Sequence, residues 1–135
     1  MNKKLLPLAL LFAFLLVSCG GGSPSTNITV TLTDFAFTPN AFTVPAGQEI
    51  TLTVTNNGVV VHNFIIMKLD KTVGDAFDEA DQPNVFWEEI DIQPGGDFSV
   101  TFIAPTEPGD YQIICRTQGH IASGMTGTLT VVSGE

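Results

Sequence analysis

The chain has 135 residues, of which 44% are apolar and 14% are charged, and its formal net charge is −9 at pH 7. This length suits one domain of roughly 100–150 residues. Five Lys and Arg residues are too few for a nucleic-acid-binding surface or a polybasic membrane-surface module. Thirteen Gly and eight Pro indicate turns between strands, and only two His residues are present to build a metal or catalytic centre.

The N-terminal residues have the layout of an export signal. Two Lys residues precede an almost wholly apolar run over residues 5–17, which is too short to cross a bilayer comfortably as a helix. The run ends in Leu-Val-Ser-Cys at residues 16–19, which resembles the lipobox of bacterial lipoproteins. The resemblance implies cleavage after Ser18 and a lipid on Cys19. The alternatives are a plain signal peptide and an uncleaved anchor.

A Gly- and Ser-rich stretch follows Cys19, as an anchored domain needs if it is to stand off its membrane. We therefore predict a signal peptide over residues 1–18, a lipidated Cys19 with a flexible tether over residues 19–27, and one folded domain over residues 28–135. The protein is expected on the outer face of the cell membrane or in the periplasm, held by its lipid. Cys115 is then a thiol without a disulfide partner in an oxidising compartment.

Four runs in the predicted domain alternate apolar and polar residues. Residues 27–33 set Ile28, Val30 and Leu32 against three Thr, and residues 49–55, 98–102 and 128–132 repeat the pattern. Period-two patterning in Thr- and Val-rich runs is typical of strands, and turns rich in Pro, Gly and Asn separate these runs. The sequence therefore predicts an all-β fold, with seven or eight short strands in a two-sheet antiparallel sandwich.

Residues 70–91, which we call the acidic segment, interrupt this rhythm with eight Asp and Glu residues. Thr72 is a suitable N-cap, and Val73, Ala76 and Phe77 recur at helical spacing, so a short helix is predicted over residues 72–80. The whole segment is expected to be a long connection between strands. It could be a solvated acidic face or a docking patch for a basic partner.

The residues with metal-binding chemistry are concentrated near the end of the chain. Cys115, His120 and Met125 follow one another at intervals of five residues. The strand before them sets Tyr111 on the same face as Cys115, so the thiol is expected at the end of a core strand. A loop over residues 116–124 then turns back, and it is long enough to bring the three side chains around one point.

His62 is the second imidazole, and it shares the core-facing side of an apolar strand with Phe64 and Ile66. Each of the four donors taken alone has an ordinary explanation, such as a satisfied core histidine, an inert buried thiol or a core-filling methionine. Together they provide two imidazoles, one thiolate and one thioether, the blue-copper donor set. The combination predicts a copper site at one end of the sandwich.

At these residues the chain resembles the cupredoxins, the small blue copper proteins, and within that family the auracyanin group. The similarity covers nearly all of the chain after the tether. The Cys-to-His interval separates it from plastocyanins and the His-to-Met interval separates it from azurins. The residues that carry the resemblance are His62-Asn63-Phe64, the Gly-Asp-Tyr approach to Cys115, the Gly119-His120 pair, and Gly124-Met125-x-Gly127-Thr128-Leu129.

The resemblance implies a Greek-key sandwich with a single type 1 copper ion. It implies His62, Cys115 and His120 as equatorial ligands and Met125 as the axial ligand. The carbonyl of Val61 could approach weakly from the opposite side.

Further expectations concern the surroundings of the copper. Asn63, next to His62, resembles the family Asn that pins the ligand loops and donates a backbone hydrogen bond towards the Cys sulfur, where such contacts tune the reduction potential. His120 would be the electron portal, with an apolar rim formed by Ile121, Ala122 and Val59.

The implied activity is electron transfer rather than enzyme catalysis. The protein, as a monomer, would shuttle single electrons between membrane redox complexes or cytochromes. The alternative is an exported copper carrier or chaperone of the same fold. A multicopper enzyme would need further His ligands, which the chain lacks, and a metal-free interaction lipoprotein is the remaining alternative.

Overall fold

The structure is a computed structural model that describes residues 22–134. The predicted signal peptide and Cys19 lie outside the described residues. Backbone hydrogen bonds link Ser25 to Thr43 and Thr26 to Thr51, so the chain is attached to the sheets just before the first strand. Within residues 22–134, no helix is long and apolar enough to cross a membrane.

Nine strands are formed by the described residues, and they build two sheets that pack face to face. The first sheet has the order β2-β1-β4-β7 and the second has the order β3-β9-β8-β5-β6. The strands are β1 (Asn27–Thr33), β2 (Ala36–Thr38), β3 (Ala41–Pro45), β4 (Glu49–Asn56), β5 (His62–Met67), β6 (Val85–Ile92), β7 (Asp97–Ile103), β8 (Gly109–Ile114) and β9 (Thr126–Val132).

The alternating runs form the strands that they predict, and their apolar faces meet in the core. Val30, Leu52 and Val54 are completely buried between the sheets, whereas the Thr residues that alternate with them are partly or fully exposed. This period-two burial is what a sheet with one packed face requires. The prediction of an all-β sandwich is therefore confirmed.

The predicted antiparallel pairing is wrong for two strand pairs, because both sheets are mixed. β1 pairs in parallel with β4, and β3 pairs in parallel with β9. After β1 the chain forms the short β2 antiparallel to it, crosses to the second sheet as β3, and returns as β4 beside β1. That return makes β1 and β4 run in the same direction.

The acidic segment contradicts the sequence analysis in two ways. Residues 72–80 form no helix, because local side chains take the backbone hydrogen bonds that a helix would use: Asp78 Oδ1 accepts from the Ala80 N–H, and Asp81 Oδ2 accepts from the Asp78 N–H. The only helical element in the segment is a 3₁₀ turn over Gln82–Asn84. The segment is also not a simple connection, since it contains most of β6. The described residues thus form nine strands, where seven or eight were predicted.

The first part of the acidic segment covers the outer face of the second sheet. Gln112 of β8 holds it there, because its side chain accepts from the Val73 N–H at 2.7 Å and donates to the Val73 carbonyl at 3.1 Å. With the first sheet on the other face, every residue of β5 is buried. A second apolar cluster forms under this cover, made of Ile65, Met67, Val73, Ile114 and Ile121. The strand that begins at His62 is thus packed on both faces.

Candidate metal centre

Two neighbouring strands of the second sheet bring His62 and Cys115 to one end of the sandwich. His62 is the first residue of β5, and Cys115 directly follows β8. The two strands are antiparallel neighbours, with Ile66 opposite Ile113. The start of β5 and the end of β8 therefore lie at the same end of the sheet, which we call the site end.

The loop between Cys115 and β9 is closed by backbone hydrogen bonds. The Met125 N–H donates to the His120 carbonyl at 2.9 Å, and the Cys115 N–H is 3.4 Å from the Met125 carbonyl. Gly119 and Gly124 have φ values of +82° and +97°, a region that favours glycine. The two turns return His120 to Cys115 and leave Met125 beside it.

The three predicted equatorial donors face one another in the interior. Cys115 Sγ lies 3.4 Å from His120 Nδ1 and 3.8 Å from His62 Nδ1, and all three donor atoms lie within 4.8 Å of one another. A trigonal ion with bonds of about 2.0 Å to nitrogen and about 2.3 Å to sulfur would hold a nitrogen and a sulfur ligand about 3.7 Å apart. The spacing fits a metal ion, and the combination of a soft sulfur with two imidazole nitrogens fits copper.

Met125 belongs to the same buried cluster as Cys115 and is completely inaccessible to solvent. The backbone hydrogen bond between its carbonyl and the Cys115 N–H places the residue at the site end. A thioether is a weak, soft ligand that suits an axial position on copper. The site end therefore holds all four residue types of the predicted donor set.

Asn63 connects the surroundings of the thiol. Its backbone N–H donates to Cys115 Sγ at 3.4 Å, and its Nδ2 donates to Thr117 Oγ1 at 3.1 Å. The Thr117 hydroxyl in turn donates to the Val61 carbonyl at 3.1 Å, and Asn63 Oδ1 accepts from the Asp91 N–H at 3.2 Å. One side chain thus links β5, β6 and the ligand loop.

Two polar residues at the site end were missed by the sequence analysis. Asn56 is completely buried, and its Nδ2 donates to the carbonyls of Val60 and Ile92 at 3.0 and 2.9 Å. Asp34 Oδ1 lies 3.0 Å from His62 Nε2. Asn56 belongs to an Asn-Asn-Gly turn and Asp34 follows a strand, so each has the local pattern of a turn residue and carries no sign of its distant partners.

Electrostatics at the site end favour a neutral His120 imidazole and an anionic Asp34 carboxylate. Burial lowers the pKa of His120, and His62 lowers it further, against a smaller opposing effect of Asp34. The hydrogen bond from the Val59 N–H lowers the pKa of Asp34, with a further contribution from His62. A neutral His120 has one ring nitrogen free to bind a metal.

The surface over the site end is apolar. Phe35 packs edge-on against the His120 ring with 5.0 Å between the ring centroids, and 45% of Phe35 is exposed. Val59 and Val60 are also exposed, at 81% and 39%. Together, Phe35, Val59 and Val60 form what we call the apolar surface.

The predicted rim around His120 is wrong at one position. Ile121 is only 8% exposed, because it packs into the second cluster against residues such as Ile65 and Val73. Ala122 and Val59 are exposed as expected. Phe35, which comes from a distant turn, contacts His120 in a way the sequence did not reveal.

Comparison with known proteins places this architecture in a family. A family model described as the cupredoxin-like domain matches residues 6–131. The chain is a cupredoxin. This confirms the resemblance that the sequence carries around its Cys, His and Met residues.

This cupredoxin has relatives among plastocyanins and auracyanins. It is 33% identical to a plastocyanin of Mercurialis perennis over 100 residues, covering 73% of this chain and 89% of the plastocyanin. The dithionite-reduced auracyanin of the photosynthetic bacterium Roseiflexus castenholzii matches with a TM-score of 0.69 and 32% identity, covering 82% of this chain and 99% of the auracyanin. Auracyanin A of Chloroflexus aurantiacus, a "blue" copper protein, matches with a TM-score of 0.60 and 30% identity, covering 78% and 99%.

Proposed function

We propose that this cupredoxin carries single electrons at one type 1 copper ion. Its ligands are His62, Cys115 and His120, with Met125 as the weak axial ligand. One observation carries the proposal: a sulfur and two imidazole nitrogens lie within 4.8 Å of one another in the interior. The likeness to a blue copper auracyanin supports the choice of metal. A weak approach of the Val61 carbonyl stays a prediction, and that oxygen already accepts a hydrogen bond from Thr117.

Copper bound there supplies a one-electron couple between Cu(I) and Cu(II). The protein's part is to hold the donors in one arrangement that serves both states. His62 and Cys115 stand at the ends of adjacent paired strands, and His120 stands in a loop closed by backbone bonds. All three side chains are at most 4% exposed. Rigid, dry donors keep the rearrangement that accompanies each electron small.

Electrons enter and leave through His120 and the apolar surface beside it. Phe35, Val59 and Val60 give a partner an uncharged area to contact close to the metal. Transient redox complexes use small interfaces, and a patch of three exposed side chains next to one ligand is of that kind. The partner in this proposal is a redox protein such as a cytochrome or a membrane electron-transfer complex.

The acidic segment steers that partner. Arg116, which directly follows Cys115, forms an ion pair with Glu88 at 3.4 Å and lines a surface cleft with Asp75. The segment thus borders the ligand loop with acidic side chains. Charge complementarity speeds the encounter with a basic partner. A solvated acidic face without a partner remains the alternative.

We also propose that the protein works as an exported monomer on a lipid anchor. The signal peptide over residues 1–18, the lipid on Cys19 and the tether over residues 19–27 rest on the sequence alone. They would hold the domain of residues 28–135 near membrane redox complexes, on the outer face of the membrane or in the periplasm. Mass analysis of the mature N-terminus tests this division directly.

A copper carrier with the same fold is the alternative function. A carrier hands its ion to another protein, so exposed and methionine-rich ligands would suit it. Here the donors are buried, and only three Met residues occur in the chain, one of them the initiator. These observations favour the electron carrier.

Titration of the purified protein with Cu(II) tests the proposal. We expect saturation at one ion per chain and an intense blue colour that disappears on reduction and returns on oxidation. Uptake of copper without a reversible blue colour would favour the carrier. A protein that stays folded and takes up no copper would contradict both functions and favour a metal-free interaction protein.

A further inference from the structure

A carboxylate from the opposite sheet faces the far side of the His62 ring. Asp34 follows β1, and its Oδ1 lies 3.0 Å from His62 Nε2. The other ring nitrogen, Nδ1, faces Cys115 Sγ at 3.8 Å. An ionised carboxylate can only accept a hydrogen bond, so the proton of the neutral ring belongs on Nε2 and the lone pair on Nδ1.

The backbone around residue 58 is built to admit this hydrogen bond. The Val59 N–H donates to both Asp34 carboxylate oxygens, at 3.0 and 3.3 Å. A Cβ on Gly58 would collide with Asp34 Oδ1 and would lie 2.7 Å from His62 Nε2. The Gly58 N–H is itself held by Asn56 Oδ1 at 2.8 Å. Glycine at this position therefore leaves the space in which the carboxylate and the imidazole meet.

We propose that Asp34 is a positioning residue of the copper centre. It fixes the His62 tautomer whose Nδ1 can bind the metal, and it lowers the reduction potential. This inference rests on the proposed function, since the second effect requires copper at His62, whereas the tautomer is a property of the protein without metal. A carboxylate behind a ligating histidine orients the ring and raises its basicity.

The sign of the effect on the potential follows from charge. A negative carboxylate one imidazole away from the metal stabilises Cu(II) more than Cu(I). The Asp34 side chain is 26% exposed and His62 is fully buried, so solvent screens only one end of the interaction. Loss of the charge should therefore raise the potential.

The test compares Asp34→Asn with Asp97→Asn. The first variant keeps the shape and an acceptor oxygen but removes the charge from the hydrogen bond with His62. Asp97 begins β7 opposite Thr55 near the site end, and its carboxylate contacts the Thr55 hydroxyl at 3.5 Å. Asp97→Asn therefore removes the same charge nearby without touching the ligand.

Asp34→Asn is expected to weaken the preference for Cu(II) over Cu(I) about tenfold, which raises the potential by about 59 mV. Asp97→Asn should shift the potential by less than a third of that. An unchanged potential in Asp34→Asn, or an equal shift in both variants, would overturn the charge effect.

Nitrogen NMR of the metal-free protein tests the tautomer separately. The wild-type protein should show His62 with its proton on Nε2 alone. Asp34→Ala removes the acceptor, and Gly58→Ala keeps both side chains but forces them apart with the added Cβ; each should give a mixture of tautomers. A single Nε2–H tautomer in both variants would overturn the positioning role. This result does not depend on copper, so it is distinct from a failure of the wild-type protein to turn blue.

Discussion

The backbone N–H of Asn63 points at the sulfur of Cys115, 3.4 Å away. It is free to do so because the pairing of β5 with β8, the strand that Cys115 follows, covers Ile65 and Ile66 and stops short of Asn63. The early end of this pairing leaves one backbone donor for the thiol that we propose as a copper ligand. The side chain of the same residue then ties β6 to the ligand loop.

Replacing Asn63 with Ala should destabilise the metal-free protein by about 2 kcal/mol, because its two part-buried side-chain hydrogen bonds, with the Thr117 hydroxyl and the Asp91 N–H, are lost. The backbone bond to Cys115 is retained, so copper should still bind. Denaturant unfolding measures the change in the free energy of unfolding. Thr117→Ser, which keeps the hydroxyl next to Asn63, should be close to wild type. Equal stability of Asn63→Ala and the wild-type protein would contradict this role.

Asn56 offers a sharper comparison, because Asn57 is its exposed neighbour. Asn56→Ala should cost about 2–3 kcal/mol of unfolding free energy, since the carbonyls of Val60 and Ile92 and the Gly58 N–H lose the partner that the buried Asn56 side chain provides. Asn57→Ala keeps its backbone bond to Leu32 and should change the stability by less than about 0.5 kcal/mol. Similar losses of unfolding free energy in the two variants would show that the side-chain hydrogen bonds of Asn56 do not stabilise the folded protein.

The alternating strands and the copper donors could be predicted from the sequence because their signals are local. The Thr–Val alternation of β1 and β4 marks one buried face directly, and Cys115, His120 and Met125 lie within one short stretch. β6 could not be recognised in the same way. It is an edge strand with acidic residues in its middle and only partial burial, so its pattern is that of a solvated loop.

Contacts between distant parts of the chain could not be predicted from local sequence patterns. The parallel pairing of β1 with β4 depends on a crossing between sheets that no pattern within either strand records. Asp34 and His62 are 28 positions apart and meet only because that fold brings the turn after β1 over the site end. The predicted helix over residues 72–80 failed for a different reason, since Asp78 and Asp81 bind local backbone N–H groups.

Asp75→Lys should slow electron transfer with a basic c-type cytochrome about three- to tenfold at low ionic strength. Asp75 lies in the acidic segment beside the ligand loop, so its reversal repels the partner where it docks. Glu49→Lys makes the same change in net charge at the start of β4, the end opposite Asn56, and should have little effect. Stopped-flow rates over a series of salt concentrations measure both. Electron-transfer rates that change neither with salt concentration nor with either substitution would contradict steering by this segment.

Ionisation of Tyr111 should lower the free energy of unfolding in strong alkali. Burial raises the pKa of Tyr111, and the charges of Glu107 and Asp70 raise it further. Its hydroxyl donates to the Glu107 carbonyl at 2.7 Å. Because the folded-state pKa exceeds the unfolded value of about 10, the stabilisation is complete below about pH 10 and is lost as the pH rises through the folded pKa.

The phenolate absorbance of this residue can be followed without interference, since the chain contains one Tyr. Titration of the folded protein should give a higher midpoint than titration in denaturant. Tyr111→Phe should remove this part of the alkaline loss of stability. Equal midpoints in the folded and unfolded protein would contradict the prediction.

The account depends on Cys115 binding copper together with two imidazoles, and one optical measurement addresses that directly. Cu(II) is added to the purified wild-type protein and to Cys115→Ser, and the visible spectrum is recorded before and after reduction with ascorbate. The account predicts an intense blue thiolate-to-copper band in the wild-type protein that ascorbate bleaches, and no such band in Cys115→Ser. A wild-type protein that remains folded but shows no blue band, or a Cys115→Ser protein with the same band, would contradict it.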